Sequence, residues 1–132
     1  MNFKYEVMVN KSFDDAIVSL KDSLSKHSFG VLWELNFKDK LREKGLSFES
    51  NFKILEVCNP KQAKEVLDKH LEVGYFLPCK IVVYEKNNSV YMGMIKPSEL
   101  IALTVKEGSA ETLQIAEDVE KVLKAAIDMA AK

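Results

Sequence analysis

Residues 79–97 read Cys-Lys-Ile-Val-Val-Tyr-Glu-Lys-Asn-Asn-Ser-Val-Tyr-Met-Gly-Met-Ile-Lys-Pro. The run Ile81-Val82-Val83-Tyr84 is β-branched and aromatic, which suits a pleated, half-buried strand. Asn87-Asn88 can adopt the positive φ angles of a two-residue hairpin turn. Cys79 to Glu85 and Ser89 to Ile95 therefore read as two strands of one hairpin, and Pro97 closes the second.

Working back from the hairpin, Asn59-Pro60 opens a helix, with asparagine as N-cap and proline at the first helical position. Its apolar stripe runs through Ala63, Val66, Leu67 and Leu71, and Gly74 is the expected stop. Phe52 to Cys58 forms a strand that alternates less cleanly, as one buried on both faces would. Val31, Trp33, Leu35 and Phe37 alternate with Glu34 and Asn36 as another, with Trp33 expected in the core. Lys38 to Gly45 reads as one or two surface turns of helix. At the start of the chain, Phe3, Tyr5, Val7 and Val9 share one face of a strand and Lys4 and Glu6 the other. Ser12 and Asp15 then make a capping box for a helix carrying Phe13, Ala16, Ile17, Leu20 and Leu24, which should end near His27. The last helix, from about Ala110 to Ala130, places Leu113, Ala116, Val119, Leu123, Ala126 and Ile127 on one stripe. Strand pairs separated by helices predict an α+β, two-layer sandwich: a mainly antiparallel or mixed five-stranded sheet with helices on one face. Residues 1–132 are expected to form a single domain, without linker or repeat.

The 132 residues are 47% hydrophobic and 30% charged, as in an ordinary globular chain. A net charge of -1 offers no broad basic field, so nucleic acid is not an expected partner. No stretch approaches the roughly 18 apolar residues of a membrane helix, and no signal segment starts the chain. Two cysteines are too few for a disulfide framework, and a cytoplasmic location is the expectation.

Several short segments together resemble one known family. They are Ser12-Phe13-Asp14-Asp15-Ala16, Phe29-Gly30-Val31-Leu32 leading to Glu34, Cys58-Asn59-Pro60, Leu77-Pro78-Cys79 with Val82-Val83-Tyr84-Glu85, and Pro97. In this order and spacing the chain resembles the bacterial and archaeal domain-of-unknown-function family numbered 302, over nearly its whole length. The resemblance implies a compact α+β fold, often dimeric, with no established activity. Some relatives lack one or both cysteines, which implies that neither thiol defines a common function.

The residue with most chemistry to offer is Cys58, at a strand end just before a helix start. Free amides and the helix dipole there would lower its pKa if the sulfur pointed at them, as suits a reactive thiol, a sulfur carrier or a soft-metal ligand. The alternative is an inert packing cysteine. Cys79 is its potential partner only if their two strands run antiparallel; a helical crossover usually joins parallel strands, which favours separation. Asn59, Pro60, Pro78 and Cys79 flank Cys58 as candidate ligand-binding residues.

His27 and His70 sit at predicted helix ends, where they complement the dipole, and no ligand spacing supports a metal or haem site. Glu34 and Glu56 fall mid-strand, on a solvent face or in a pocket. No nucleotide-binding or hydrolase motif is present. Tyr91, Met92 and Met94 suit either ordinary core or an edge strand that pairs with a second subunit. The leading expectation is a homodimeric module that binds a small ligand or a protein, with no cofactor identified. Thiol chemistry at Cys58 stands second, and soft-metal or haem binding third.

Overall fold

The structure, a computed structural model, describes residues 2–103 and 110–132. Five strands, β1 (Lys4–Val9), β2 (Gly30–Asn36), β3 (Phe52–Cys58), β4 (Cys79–Lys86) and β5 (Ser89–Ile95), form one sheet in the order β1-β5-β4-β3-β2. Every neighbouring pair is antiparallel. The α-helices are α1 (Phe13–Lys26), α2 (Phe37–Glu43), α3 (Pro60–Lys69), α4 (Pro97–Ala102) and α5 (Ala110–Ala131), with a 3-10 turn at Leu71–Phe76. This is the mixed α+β fold the strand and helix patterns predict.

Local chemistry sets most of the boundaries. The Ser12 hydroxyl accepts the Asp15 N–H at 3.1 Å and starts α1. At its other end, His27 donates its backbone N–H to Leu24, and Ser28 turns out of the helix at φ 66°. Asn87 and Asn88 take φ of 52° and 64°, which closes the β4–β5 hairpin as their residue type allows.

Helices α1 and α5 lie on one face of the sheet. Leu20 and Leu24 of α1 and Leu123 and Ile127 of α5 are buried against Leu55, Val57, Ile81, Val83 and Met92 of the strands. Each such side chain contributes roughly 1.5–3 kcal/mol by leaving water. Between the two helices the buried Ser23 hydroxyl donates to the Ala126 carbonyl at 2.6 Å, so the polar group is not stranded.

Four expectations are corrected. Trp33 is not core: it is 51% exposed, because the β2–β3 register shifts between Val31 and Trp33. The extra residue puts Val31 on the helix side and Trp33 on the other. Of the two readings open for Met92 and Met94, core holds: both are buried on β5, which has β1 and β4 on either side. The helix after Asn59 stops at Lys69 instead of near Gly74, and α4 begins at Pro97 where no helix is predicted. Finally, α3 is not a crossover. It leaves and returns at the same end of two antiparallel neighbours, so Cys58 and Cys79 share that end.

Candidate functional site

The strand ends at that side of the sheet carry a second structural unit. There, β3 ends at Cys58, β4 begins at Cys79, β5 ends at Ile95 and β1 begins at Lys4. Over them sit α3, the 3-10 turn, α4 and the first half of α5, held by a small cluster of Val66, Val73, Ile101 and Ala116. This lobe does not close onto the strands. A cleft of about 760 Å3 remains between them, within the range of small-molecule sites. Phe76, Leu100, Ile101, Ile115 and Val119 line its lobe side, and Val57, Met94 and Ile95 its sheet side.

The cleft opens toward the face of the sheet that α1 and α5 leave bare. Register places Lys4 beside Ile95 and Lys80 beside Glu56 on that face, with Glu6, Gly93 and Val82 in the next row. All seven residues line the cleft. Gly93 has a steric reason: a Cβ there would stand 2.6 Å from the Tyr5 carbonyl oxygen, so β1 can approach only a glycine. Across the gap it leaves, the Tyr84 hydroxyl donates to Glu6 Oε2 at 2.6 Å. That hydrogen bond first, then burial and the carboxylate's charge, push the Tyr84 phenol up to about 12. Tyr84 also stacks between Phe52 and Tyr91, with ring centroids at 6.0 and 5.4 Å.

Of the residues singled out in the sequence, Cys58, Asn59, Pro78 and Cys79 all line the cleft, while Pro60 is not part of its wall. The Leu77–Pro78 peptide is cis. The surroundings of the two thiols do not favour a thiolate. Asn59 Oδ1 accepts the Lys61 and Gln62 N–H groups at 3.1 and 3.3 Å, and its carbonyl accepts the Ala63 N–H at 2.9 Å. Pro60 has no N–H, so the first turn of α3 leaves no amide for a Cys58 thiolate. Burial raises the Cys58 pKa, opposite to the shift a reactive thiol needs. Cys79 is raised to about 11 by burial, with a smaller contribution from Cys58. Both cysteines are free thiols, and both are protonated at neutral pH.

The other polar candidates, save Glu56, stand away from the cleft wall. His27 Nδ1 lies 2.7 Å from the Ser23 carbonyl at the end of α1. His70 caps α3, with Nδ1 3.8 Å from a Glu72 carboxylate oxygen. Glu34 pairs with Lys21 at 2.8 Å on the helix side of the sheet, whereas Glu56 faces the cleft. Among the described residues no group of three or more His, Cys, Asp or Glu could hold a metal ion. No described helix is long and apolar enough to cross a membrane.

Sequence reasoning missed Glu6, Tyr84 and Gln62. The first two stand on strands far apart in the chain, and only the β1–β5–β4 order brings them together. Gln62 lies on the polar side of an amphipathic pattern, yet its Oε1 is buried in the cleft wall with no hydrogen-bond partner among the described residues.

Comparison with known proteins agrees with this architecture. Residues 5–130 match the family model "Domain of unknown function DUF302". The chain is also similar to an uncharacterized conserved DUF302 protein from Bacillus stearothermophilus, known from its crystal structure. The two are 43% identical with a TM-score of 0.92, over 98% of this chain and 99% of that one. No curated protein matches the sequence.

Proposed function

We propose, for a chain that belongs to the DUF302 family of domains without an established activity, that it is a small-ligand-binding module whose cleft receives an apolar molecule. The cleft itself carries this reading. An open cleft of about 760 Å3 holds water against a mainly apolar lining. An apolar occupant releases that water and is favoured for it. Neutral thiols and aliphatic side chains dominate the inner wall, so that occupant is held by burial of its apolar surface. Titration with the uncharged fluorescent probe N-phenylnaphthylamine tests the reading: saturable enhancement at one probe per chain supports it, and a linear, unsaturable signal refutes it.

A second reading concerns the bare sheet face, which we infer to be shared by two copies of the chain. Met8, Trp33 and Ile95 are 64%, 51% and 48% exposed there, while α2 and the loop after it reach only the Phe52 corner through Phe37 and Phe48. Lys4, Lys80 and Lys86 accompany Glu6 and Glu56, so the face carries both signs and can meet its own twofold copy without net repulsion. Pairing would also cover the open side of the cleft. Sedimentation should give a dimer that Trp33→Glu converts to monomer; a wild-type monomer at high concentration would rule the pairing out.

A further inference from the structure

Among the described residues, the wall of the cleft contains one polar group left without a hydrogen-bond partner. Gln62 sits at the start of α3, where its backbone N–H is taken by the Asn59 side chain. Its side-chain carbonyl oxygen, Oε1, is shut away from solvent and accepts no hydrogen bond among the described residues. An acceptor left this way costs about 1–3 kcal/mol, because its lost hydration is not replaced. Such a group in a native fold calls for a partner, which a bound water or the donor of a ligand would each supply.

The neighbours of Gln62 narrow what that partner is. Cys58, Ala63, Val66 and Cys79 share the cleft wall with it. The two thiols are weak donors and are neutral at physiological pH. Among the described residues no cationic side chain stands in the inner part, since Lys4 and Lys80 belong to the rim on the sheet face. A carboxylate or phosphate placed inside would lose its hydration with no counter-charge in return. An ammonium would find the carboxylates of Glu6 and Glu56 only on that same rim, and a carbonyl and an apolar wall inside. What fits is an uncharged group with a proton to donate.

Resting on the reading of the cleft as a ligand site, we propose that its ligand is an uncharged, mainly apolar molecule carrying one hydroxyl or amide N–H that donates to Gln62 Oε1. Pairing requires the amide to turn its carbonyl out of the wall toward the donor, a rotation about the broad terminal torsion of a glutamine. The apolar body occupies the space beside Ile101, Ile115 and Val119. The hydroxyl or amide supplies orientation, and the fit of the body supplies most of the affinity.

The test compares decanol with decyl methyl ether, in which a methyl group replaces the hydroxyl hydrogen, each displacing N-phenylnaphthylamine from the wild type and from Gln62→Met. Methionine keeps the length of the side chain and puts a weakly accepting thioether in place of the carbonyl. The wild-type preference for decanol over the ether should fall about threefold to tenfold in Gln62→Met, the value of one neutral hydrogen bond. The melting temperature of the ligand-free variant should equal or exceed that of the wild type, because the stranded acceptor is gone. A preference unchanged by the substitution, with both probes still bound, overturns the donor proposal and leaves the cleft reading intact. Failure of both probes and of the fluorophore to bind the wild type overturns the cleft reading itself.

Discussion

Helix α5 takes part in two apolar clusters that are built from similar residues and packed very differently. Its second half sends Leu123, Ala126, Ile127 and Ala130 into the main core, where α1 and the sheet close around them. Its first half sends Ala116 into the lobe, where Val66, Val73 and Ile101 form a small cluster beside the open cleft. The main core spans a whole sheet face, and Leu20, Leu55, Ile81 and Ile127 within it are fully buried. The lobe rests on two short α-helices and a 3-10 turn, and it leaves room. Stability and binding are thus assigned to opposite ends of one helix.

Truncations should separate the two regions most strongly. Leu20→Ala or Ile127→Ala, in the main core, should each cost about 3–5 kcal/mol in chemical denaturation. Ile101→Ala, beside existing space, should cost about 2 kcal/mol or less, since less new cavity is created. Equal losses would erase the distinction. Filling is the converse test. Ile115→Trp places a larger side chain into the cleft and should change stability by no more than about 1 kcal/mol, whereas the same enlargement at Ile81 overpacks the core by about 1–3 kcal/mol.

The cap of α3 sharpens the account of the thiols. Asn59→Ala should lose about 1 kcal/mol of stability. With Cys79→Ser isolating the other thiol, the half-point for alkylation of Cys58 should lie above the ordinary thiol value. A half-point below it, rising when Asn59 is removed, would restore thiol chemistry as the better reading.

The smallest expected effect lies on the open face. Tyr84 should ionise near pH 12 in an ultraviolet titration, and Glu6→Gln should bring it back toward 10.0. A phenol whose folded pKa is raised stabilises the fold fully below its unfolded pKa. That contribution is lost as the pH rises from about 10 to about 12. The side chain is largely solvent-screened, so the stability change should be slight even though the titration shift is plain.

Local chemistry made much of the fold readable. Ser12, Asn59-Pro60 and Asn87-Asn88 act on backbone within a few residues of themselves, and each sets its boundary as its type predicts. The strand at Phe52 to Cys58 also falls where the sequence places it. Trp33 was not legible, because one bulged residue reverses every side chain beyond it and alternation carries no sign of the slip. The meeting of Cys58 and Cys79 depended on whether α3 crosses the sheet, a choice made by long-range packing. The candidate site was half visible. Cys58, Asn59, Pro78 and Cys79 were marked by their chemistry, but the space they border is defined by α4 and the 3-10 turn. Gln62 carried no signal, since an unsatisfied acceptor exists only once its surroundings are folded.

The most direct test titrates N-phenylnaphthylamine into the wild type and into Ile115→Trp, with the melting temperature of each measured alongside. Saturable binding at one probe per chain in the wild type, weakened about tenfold or more in a variant that melts with the wild type, is the predicted result. Equal binding to both proteins, or no saturable binding to the wild type, would contradict the assignment of the cleft as the ligand site.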